Sequence, residues 1–88
     1  MAWVRGRILE AKTVVVEDTE LWLELVVDSG EMKEWHGTFD PSTRVVECGR
    51  TYRLQLADGR SGEIILNRLE MAGRHGWHAT FQGTGPLE

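Results

Sequence analysis

Apolar and polar residues alternate with a period of two along most of this chain. The clearest run is residues 21–27 (LWLELVV), and the same period recurs over residues 52–57 and residues 77–82. A period of two is typical of β-strands that have one buried face and one wetter face. We therefore predict strands over these three segments.

Three further segments complete a set of six predicted strands. Residues 3–16 become β-branched toward their end, and Gly6 within them predicts a bend or bulge. Residues 31–39 and residues 62–70 alternate less regularly. Residues that favour turns separate the segments at 17–19, 28–30, 58–59 and 72–76. Links this short predict an antiparallel meander.

Residues 40–49 (DPSTRVVECG) break the alternation between the third and fourth strands. Asp40 is suited to N-capping a helical turn, Pro41 to its first position and Gly49 to its left-handed end. A short helical turn is therefore predicted here. The alternative is a further strand over residues 43–47.

Six short strands in a flat sheet leave two open edges, and closing the sheet removes both of them. The predicted fold is all-β: a small six-stranded antiparallel barrel, of the size of OB and SH3-like domains, with a helical turn after the third strand. Residues 1–88 are predicted to form a single domain, because the sequence is short and contains no repeat, linker or low-complexity segment.

The pairing of neighbouring strands predicts which side chains face outward. A three-residue loop at 28–30 places Val27 opposite Glu31. The inner face then carries Leu21, Leu23, Leu25, Trp35 and Phe39. The outer face carries Trp22 beside His36, Glu24 beside Glu34, and Val26 beside Met32. In the next hairpin, the same reasoning pairs Leu54 with Ile64 and Tyr52 with Leu66, and it leaves Ile65 outside beside Arg53.

Large apolar side chains on the outward side of a strand indicate a contact surface for another protein. We predict a non-catalytic module for protein–protein interaction or homo-oligomerisation, such as a homodimer. The predicted interaction patch consists of Trp22, Val26, Met32, His36 and Ile65, with Glu24 and Glu34 at its rim. The alternative interpretation of Trp22 is that the inserted turn or the C-terminal tail covers it.

Charge is distributed unevenly along the chain. Ten basic and fourteen acidic residues give a net charge of −4 and a pI near 5.3. Residues 17–40 hold eight carboxylates and one lysine, a net charge of −7, whereas the rest of the chain has a net charge of +3. This balance argues against a broad basic surface for duplex nucleic acid. The acidic segment is suited to a basic partner, or it is a solvated face that maintains solubility.

Single-stranded nucleic-acid binding is the alternative function. Small barrels bind single strands through exposed aromatic residues flanked by arginine, and this chain has eight arginines and four tryptophans. The order of elements, a long bent first strand and an insert after the third, resembles that of oligonucleotide-binding barrels. The residues of this alternative platform are Arg44, Arg50, Arg53, Arg68 and Trp77, with Trp3 as a substitute for Trp77.

No catalytic residue, cofactor or metal site is predicted. Glu24 and Glu34 are expected opposite each other, where one pKa would rise or a cation would be attracted, but an outer barrel face is convex and wet and does not suit acid–base catalysis. His75 and His78 lack the second ligand pair that a structural zinc site needs. Cys48 is expected to be a small buried filler.

The single cysteine excludes an intramolecular disulfide and is typical of a reducing, cytoplasmic setting. Arg5, Arg7 and Glu10 interrupt the apolar stretch that a signal peptide needs. No apolar run approaches the roughly 18 residues of a membrane span, so no membrane association is expected.

Overall fold

The computed structural model describes residues 2–28, 31–41, 46–71 and 76–88. These residues form six strands that close into an antiparallel barrel in the order β1-β2-β3-β6-β5-β4. The strands are β1 (Ala2–Glu10), β2 (Thr13–Asp28), β3 (Glu31–Phe39), β4 (Thr51–Leu56), β5 (Ser61–Met71) and β6 (Trp77–Gly83). The prediction of an all-β, six-stranded closed barrel is confirmed. Nowhere in these ranges is there a helix with the length and apolarity needed to cross a membrane.

The strand order departs from a simple meander at one point. β1, β2 and β3 form one three-stranded meander, and β4, β5 and β6 form another. β3 pairs with β6 and β4 pairs with β1, so the connection between β3 and β4 links two strands that are not neighbours. This arrangement, with the fourth strand beside the first, is a Greek key. The predicted helical turn falls largely on residues 42–45, outside the described residues, and the described parts of this connection contain no helix.

The first 28 residues divide differently from the prediction. Residues 3–16 are not one strand, because the chain turns at Ala11 and Lys12, where Ala11 has a φ of 56°. The predicted turn at residues 17–19 lies inside β2. A two-residue turn built without Gly, Asn or Pro carries no compositional signal, which explains the error. The bulge predicted at Gly6 is confirmed by a register shift between Gly6 and Ile8.

The register between β2 and β3 is offset by two residues from the prediction. Asp28 faces Glu31, so only residues 29 and 30 separate the paired positions, and a bulge between Val26 and Val27 then shifts the pairing. The pairs that result are Leu25 with Trp35, Glu24 with His36, Leu23 with Gly37, Trp22 with Thr38, and Val26 with Glu34. For these five pairs the shift of two residues changes every partner but keeps each side chain on its predicted face.

The hairpin of β4 and β5 shows the same kind of offset. Tyr52 faces Ile64 and Leu54 faces Gly62, two residues away from the predicted partners. Ile65 lies opposite Thr51 rather than beside Arg53. The faces are again preserved, since Tyr52, Leu54, Ile64 and Leu66 are all buried.

One hydrophobic core fills the barrel. Leu21 and Leu23 are buried, whereas the alternating residues Trp22 and Glu24 are only partly buried. This confirms the prediction of which side chains of this part of β2 face inward. Leu25 was predicted inside, but 38% of it is exposed. β1 pairs with β2 only as far as Leu23, so Leu25 lies on a two-stranded extension of the wall. The core comprises Ile8, Val16, Leu21, Leu23, Trp35, Phe39, Val46, Tyr52, Leu54, Leu56, Ile64, Leu66, Ala79, Phe81 and Leu87.

The C-terminal residues after β6 close one end of this core. The backbone N–H of Ser61 donates to the Glu88 carbonyl at 2.6 Å, and the N–H of Glu88 donates to the Ser61 carbonyl at 2.9 Å. These bonds hold Leu87 in the core and bring Gly85 over Trp35, whose Nε1–H donates to the Gly85 carbonyl at 2.7 Å. The tail therefore completes the interior and also satisfies a buried indole.

Candidate interaction surface

Three of the predicted patch residues form a hydrogen-bonded group on the outer side of β2 and β3. Glu24 Oε1 accepts a hydrogen bond from Trp22 Nε1 at 3.1 Å. Glu24 Oε2 lies 2.9 Å from His36 Nε2, and because a carboxylate can only accept, that ring nitrogen carries the proton. The two-residue shift in register produces this contact, since it brings His36 directly opposite Glu24. Glu24 thus fixes both rings against the sheet.

Trp3 joins this group from β1, although it was predicted only as a substitute in the nucleic-acid platform. Trp3 faces Trp22 in the register, and their ring centroids lie 5.0 Å apart with an interplanar angle of 65°. Trp3 remains 62% exposed. The missed turn at Ala11 and Lys12 hid this contact, because only that turn folds Trp3 back onto Trp22. The exposed indole is the main feature that sequence reasoning missed here.

The remaining patch residues lie at different distances from this group. Val26, which is 43% exposed, follows Glu24 along β2 and lies opposite Glu34. Ile65 is separated from His36 by the whole of β6, since Gln82 pairs with both of them. The side chain of Met32 lies outside the described residues. The structure therefore brings together Trp22, Glu24 and His36, with Val26 and Glu34 next along the strands, and leaves Ile65 apart.

The electrostatics of Glu24 differ from the prediction. Glu24 and Glu34 are not opposite each other, so the prediction of a facing carboxylate pair is wrong. The hydrogen bonds from Trp22 and then from His36 instead lower the pKa of Glu24. Glu24 is therefore a carboxylate at neutral pH. Both of its oxygens have hydrogen-bond partners, and it does not belong to an acidic pair.

The outer side of β1 and β2 continues with an ion pair. Arg5 donates to Asp18 at 2.9 Å and lies 4.0 Å from Glu20. The bond from Arg5 lowers the pKa of Asp18. All three side chains are more than half exposed, so this contact adds little to stability. It shows that the acidic side of β2 already attracts a guanidinium.

The residues of the alternative nucleic-acid platform do not form one surface. Arg50 contacts Glu10 at 2.7 Å and Glu47 at 3.3 Å, and Arg68 contacts Glu70 at 3.0 Å. Arg53 donates to Ser61 and faces Glu63 on β5, whereas Arg68 is five residues further along that strand, roughly 16 Å away at the rise of a β-strand. Trp77 faces Met71 at the other end of the β5–β6 hairpin, and Arg44 is outside the described residues.

Cys48, His75 and His78 are the other residues that the sequence offered as candidates for chemistry. Cys48 is exposed, so the expectation of a buried filler is wrong. His78 Nδ1 and Asp40 Oδ1 lie 2.6 Å apart, and this contact joins β6 to the start of the connection between β3 and β4. His75 falls outside the described residues. In the part of the chain that the structure describes, no three His, Cys, Asp or Glu side chains are grouped closely enough to hold a metal ion.

A shallow groove of about 350 Å³ crosses β1 and β4. It is lined by Gly6, Arg7, Glu17, Asp18, Gln55, Leu56 and Ala57. None of the predicted patch residues lines it. Arg7 Nε donates to Gln55 Oε1 at 2.8 Å. This bond holds the Arg7 side chain along the wall of the groove.

No family model matches this chain, and no curated protein and no solved structure is significantly similar to it. The likeness to oligonucleotide-binding barrels rested on a long first strand and a helical insert. β1 ends at Glu10, and the insert lies largely outside the described residues. That likeness therefore carries no functional weight.

Proposed function

We propose that this protein is a non-catalytic binding module that recognises another protein, or a second copy of itself, through the outer side of β1, β2 and β3. We call this surface the outer aromatic face and define it by Trp3, Trp22, Val26 and His36, with Glu24 and Glu34 at its rim. The observation that carries the proposal is the 62% exposure of Trp3 in contact with a second tryptophan.

The chemistry of this face is that of an interface centre. Tryptophan is enriched among the residues that contribute most to protein–protein binding, because its large rigid surface is buried at little cost in conformational entropy. Trp3 is held by its edge-to-face contact with Trp22, and Trp22 is held by Glu24. A partner therefore meets rings that are already oriented, which lowers the entropy cost of association.

The setting of the His36–Glu24 pair supports binding rather than catalysis. The two side chains are 41% and 39% exposed, on the outward side of a barrel wall. Proton transfer is most effective in a site that excludes water, where a base or acid has a shifted pKa matched to its task. The lowered pKa of Glu24 makes it a weaker base than an ordinary glutamate, which is the wrong direction for that role.

The cellular setting is part of the proposal. Cys48 is the only cysteine of the 88-residue sequence, and it is exposed. A lone exposed thiol is best tolerated where thiols are kept reduced. We propose a cytoplasmic location on this ground.

The test compares two variants that each remove one exposed apolar side chain. Trp3→Ser removes the centre of the outer aromatic face, and Met71→Ser removes a side chain that is 71% exposed on β5. Sedimentation velocity measures self-association, and chemical cross-linking in cell extract followed by mass spectrometry identifies bound proteins. We expect Trp3→Ser to weaken the association about thirtyfold, since hot-spot residues contribute about 2 kcal/mol, and Met71→Ser to leave it unchanged.

Equal behaviour of the two variants and the wild-type protein, in both measurements, would contradict the proposal. The rival function is tested with a mixed single-stranded oligonucleotide. Quenching of tryptophan fluorescence that weakens as salt is added would favour nucleic-acid binding over protein binding. We expect no such quenching, since Arg50, Arg53 and Arg68 are dispersed and Arg50 and Arg68 are ion-paired.

A further inference from the structure

The exposed Trp3 and the partly buried Trp22 form a corner that is bordered by carboxylates. Their planes meet at 65° with ring centroids 5.0 Å apart. Glu20 and Glu24 lie two residues before and two residues after Trp22 on β2, so all three face the same side of the sheet. We call the group of Trp3, Trp22, Glu20 and Glu24 the aromatic corner. It combines two π-faces with two negative charges in one small area.

The rings of the aromatic corner are fixed in place by the protein itself. The indole N–H of Trp22 donates to Glu24, so the edge of that ring is engaged and its orientation is set. Glu24 is in turn held by His36 at 2.9 Å. Trp3 packs against Trp22 and keeps 62% of its surface exposed. A group that docks on Trp3 therefore meets a preorganised ring.

The negative charge around the aromatic corner favours a positively charged group on Trp3. Residues 17–40 have a net charge of −7. Arg5, two residues after Trp3, is drawn to Asp18 at 2.9 Å and Glu20 at 4.0 Å, which places its guanidinium on the far side of Glu20 from Trp22. Phosphate groups or acidic peptides would be repelled by this surface. Cations are attracted to it, and they are also attracted by the negative face of an indole.

We propose that the aromatic corner binds a guanidinium or ammonium side chain presented by a basic protein partner. This inference rests on the proposed function and adds the chemistry of the partner to it. A cation over the face of Trp3 gains a cation–π interaction, and the carboxylates of Glu20 and Glu24 neutralise its charge at the edge of the corner. Arginine suits the site well, because its planar group stacks on an indole and is weakly hydrated.

The ionisation of Glu24 agrees with this role. Its pKa is lowered by the hydrogen bonds from Trp22 and His36, so the carboxylate persists in mildly acidic solution.

The experiment uses the full chain and a pair of short peptides. One peptide carries two arginines between glycine and serine residues, and the matched peptide carries citrulline, the neutral isostere, at the same positions. Binding is followed at low salt by the NMR signals of the indole N–H groups, assigned with the single variants Trp3→Phe and Trp22→Phe. We expect the arginine peptide to shift the signals of Trp3 and Trp22 saturably, and the citrulline peptide to leave them unchanged.

Two substitutions at Trp3 separate the cation–π interaction from simple apolar contact. Trp3→Phe keeps a π-face, whereas Trp3→Leu keeps an apolar side chain without one. We expect Trp3→Leu to weaken binding of the arginine peptide about fivefold to thirtyfold and Trp3→Phe to weaken it less. Met71→Leu is the control and is expected to bind like the wild-type protein. Since Trp3 is exposed, these variants should all remain folded.

Several results would overturn the inference. Equal binding of the citrulline and arginine peptides would show that the corner recognises apolar surface, and equal binding by Trp3→Leu and the wild-type protein would remove the cation–π contact. Shifts confined to residues other than Trp3 and Trp22 would move the site elsewhere. If no peptide binds while capture of a protein partner still depends on Trp3, the inference fails and the proposed function stands. If that dependence is also absent, both fail.

Discussion

Trp35 and Phe81 inside the barrel, and Trp3 and Trp22 outside it, form two aromatic pairs of similar geometry. The inner pair has ring centroids 6.3 Å apart and an interplanar angle of 68°, and the outer pair has values of 5.0 Å and 65°. Edge-to-face arrangements of this kind are favoured by the quadrupoles of the rings. The two pairs nevertheless differ widely in exposure, since Trp35 is 2% exposed and Trp3 is 62% exposed.

The difference arises from what covers each pair. In both pairs an indole N–H is satisfied within the chain, by the Gly85 carbonyl for Trp35 and by Glu24 for Trp22. The C-terminal tail, anchored by Leu87, then closes over Trp35. The outer pair has hydrogen bonds and ring contacts of the same kind, yet most of Trp3 still faces solvent. Fixed geometry and satisfied polar atoms therefore do not by themselves indicate burial, and it is the exposure of the outer pair on which the proposed binding function rests.

Removing the inner ring should have the largest effect on stability. Trp35→Ala is expected to lower the free energy of unfolding by about 3–5 kcal/mol, because a large buried aromatic is replaced by a cavity. Urea denaturation followed by circular dichroism measures this loss. Trp35→Phe, which keeps an aromatic ring, should lose less. A loss for Trp35→Ala no larger than that for Trp3→Ala would break the distinction between the two pairs.

Opening the cover of the inner pair should have the next largest effect. Leu87→Ala is expected to cost about 2–3 kcal/mol, the lower part of the range for a buried leucine, because Leu87 lies near the end of the chain where relaxation is easier. The tryptophan emission should also shift to longer wavelength as water reaches Trp35. Glu88→Ala is the matched control, since that side chain is exposed and its backbone bonds are retained. Equal stability of the two variants would mean that the tail does not close the core.

Removing the outer ring should have a small effect on stability and a large effect on binding. Trp3→Ala is expected to lower the free energy of unfolding by about 0.5–1.5 kcal/mol, the contribution of an aromatic pair beyond simple area burial. Chemical denaturation and the association assay are run on the same preparation. A loss of stability comparable to that of Leu87→Ala would mean that Trp3 belongs to the folded core and is not held for a partner.

The smallest expected effect concerns the carboxylate that holds the outer pair. The lowered pKa of Glu24 in the folded protein means that its contribution to stability is present above its unfolded pKa and is lost as the pH falls through its folded pKa. The difference in unfolding free energy between the wild-type protein and Glu24→Gln should therefore shrink as the pH falls from about 4.5, the pKa of an unperturbed glutamate, through the lower folded-state pKa. A difference that stays constant over this range would mean that the carboxylate charge does not stabilise the outer pair.

The register errors show that local sequence patterns predict the face of a side chain but not its partner on the next strand. The period of two along β2 and β3 correctly separated inner from outer side chains, yet it paired Glu24 with Glu34 instead of His36. Two offsets of one residue add up to this error: the loop has two residues instead of the predicted three, and the bulge between Val26 and Val27 shifts the pairing by one more. A similar irregularity between Leu66 and Arg68 offsets β5 from β6. Val26 and Val27 do not indicate a bulge by their residue type, whereas the alternation over residues 62–70 loses its phase near Asn67.

The aromatic corner was not predicted because of an error of another kind. The sequence indicated an exposed Trp22, but Trp3 was assigned to a long first strand with no turn before residue 17. The turn at Ala11 and Lys12 carries an alanine at a φ of 56°, a conformation that its composition does not favour. It is stabilised by the pairing of β1 with both β2 and β4, contacts between residues up to 50 positions apart. Such contacts leave no local signature.

The alternation of side chains by itself determined the all-β class, the inner and outer sets of β3, β4 and the second half of β2, and most of the core. These properties follow from the two-residue repeat of a strand, which is a local property of the chain. The closed Greek-key order, the bulges, the tail over Trp35 and the meeting of Trp3, Trp22, Glu24 and His36 were decided only by the tertiary structure. Each of these depends on which distant strand lies alongside, and that choice is made by the packing of the whole barrel.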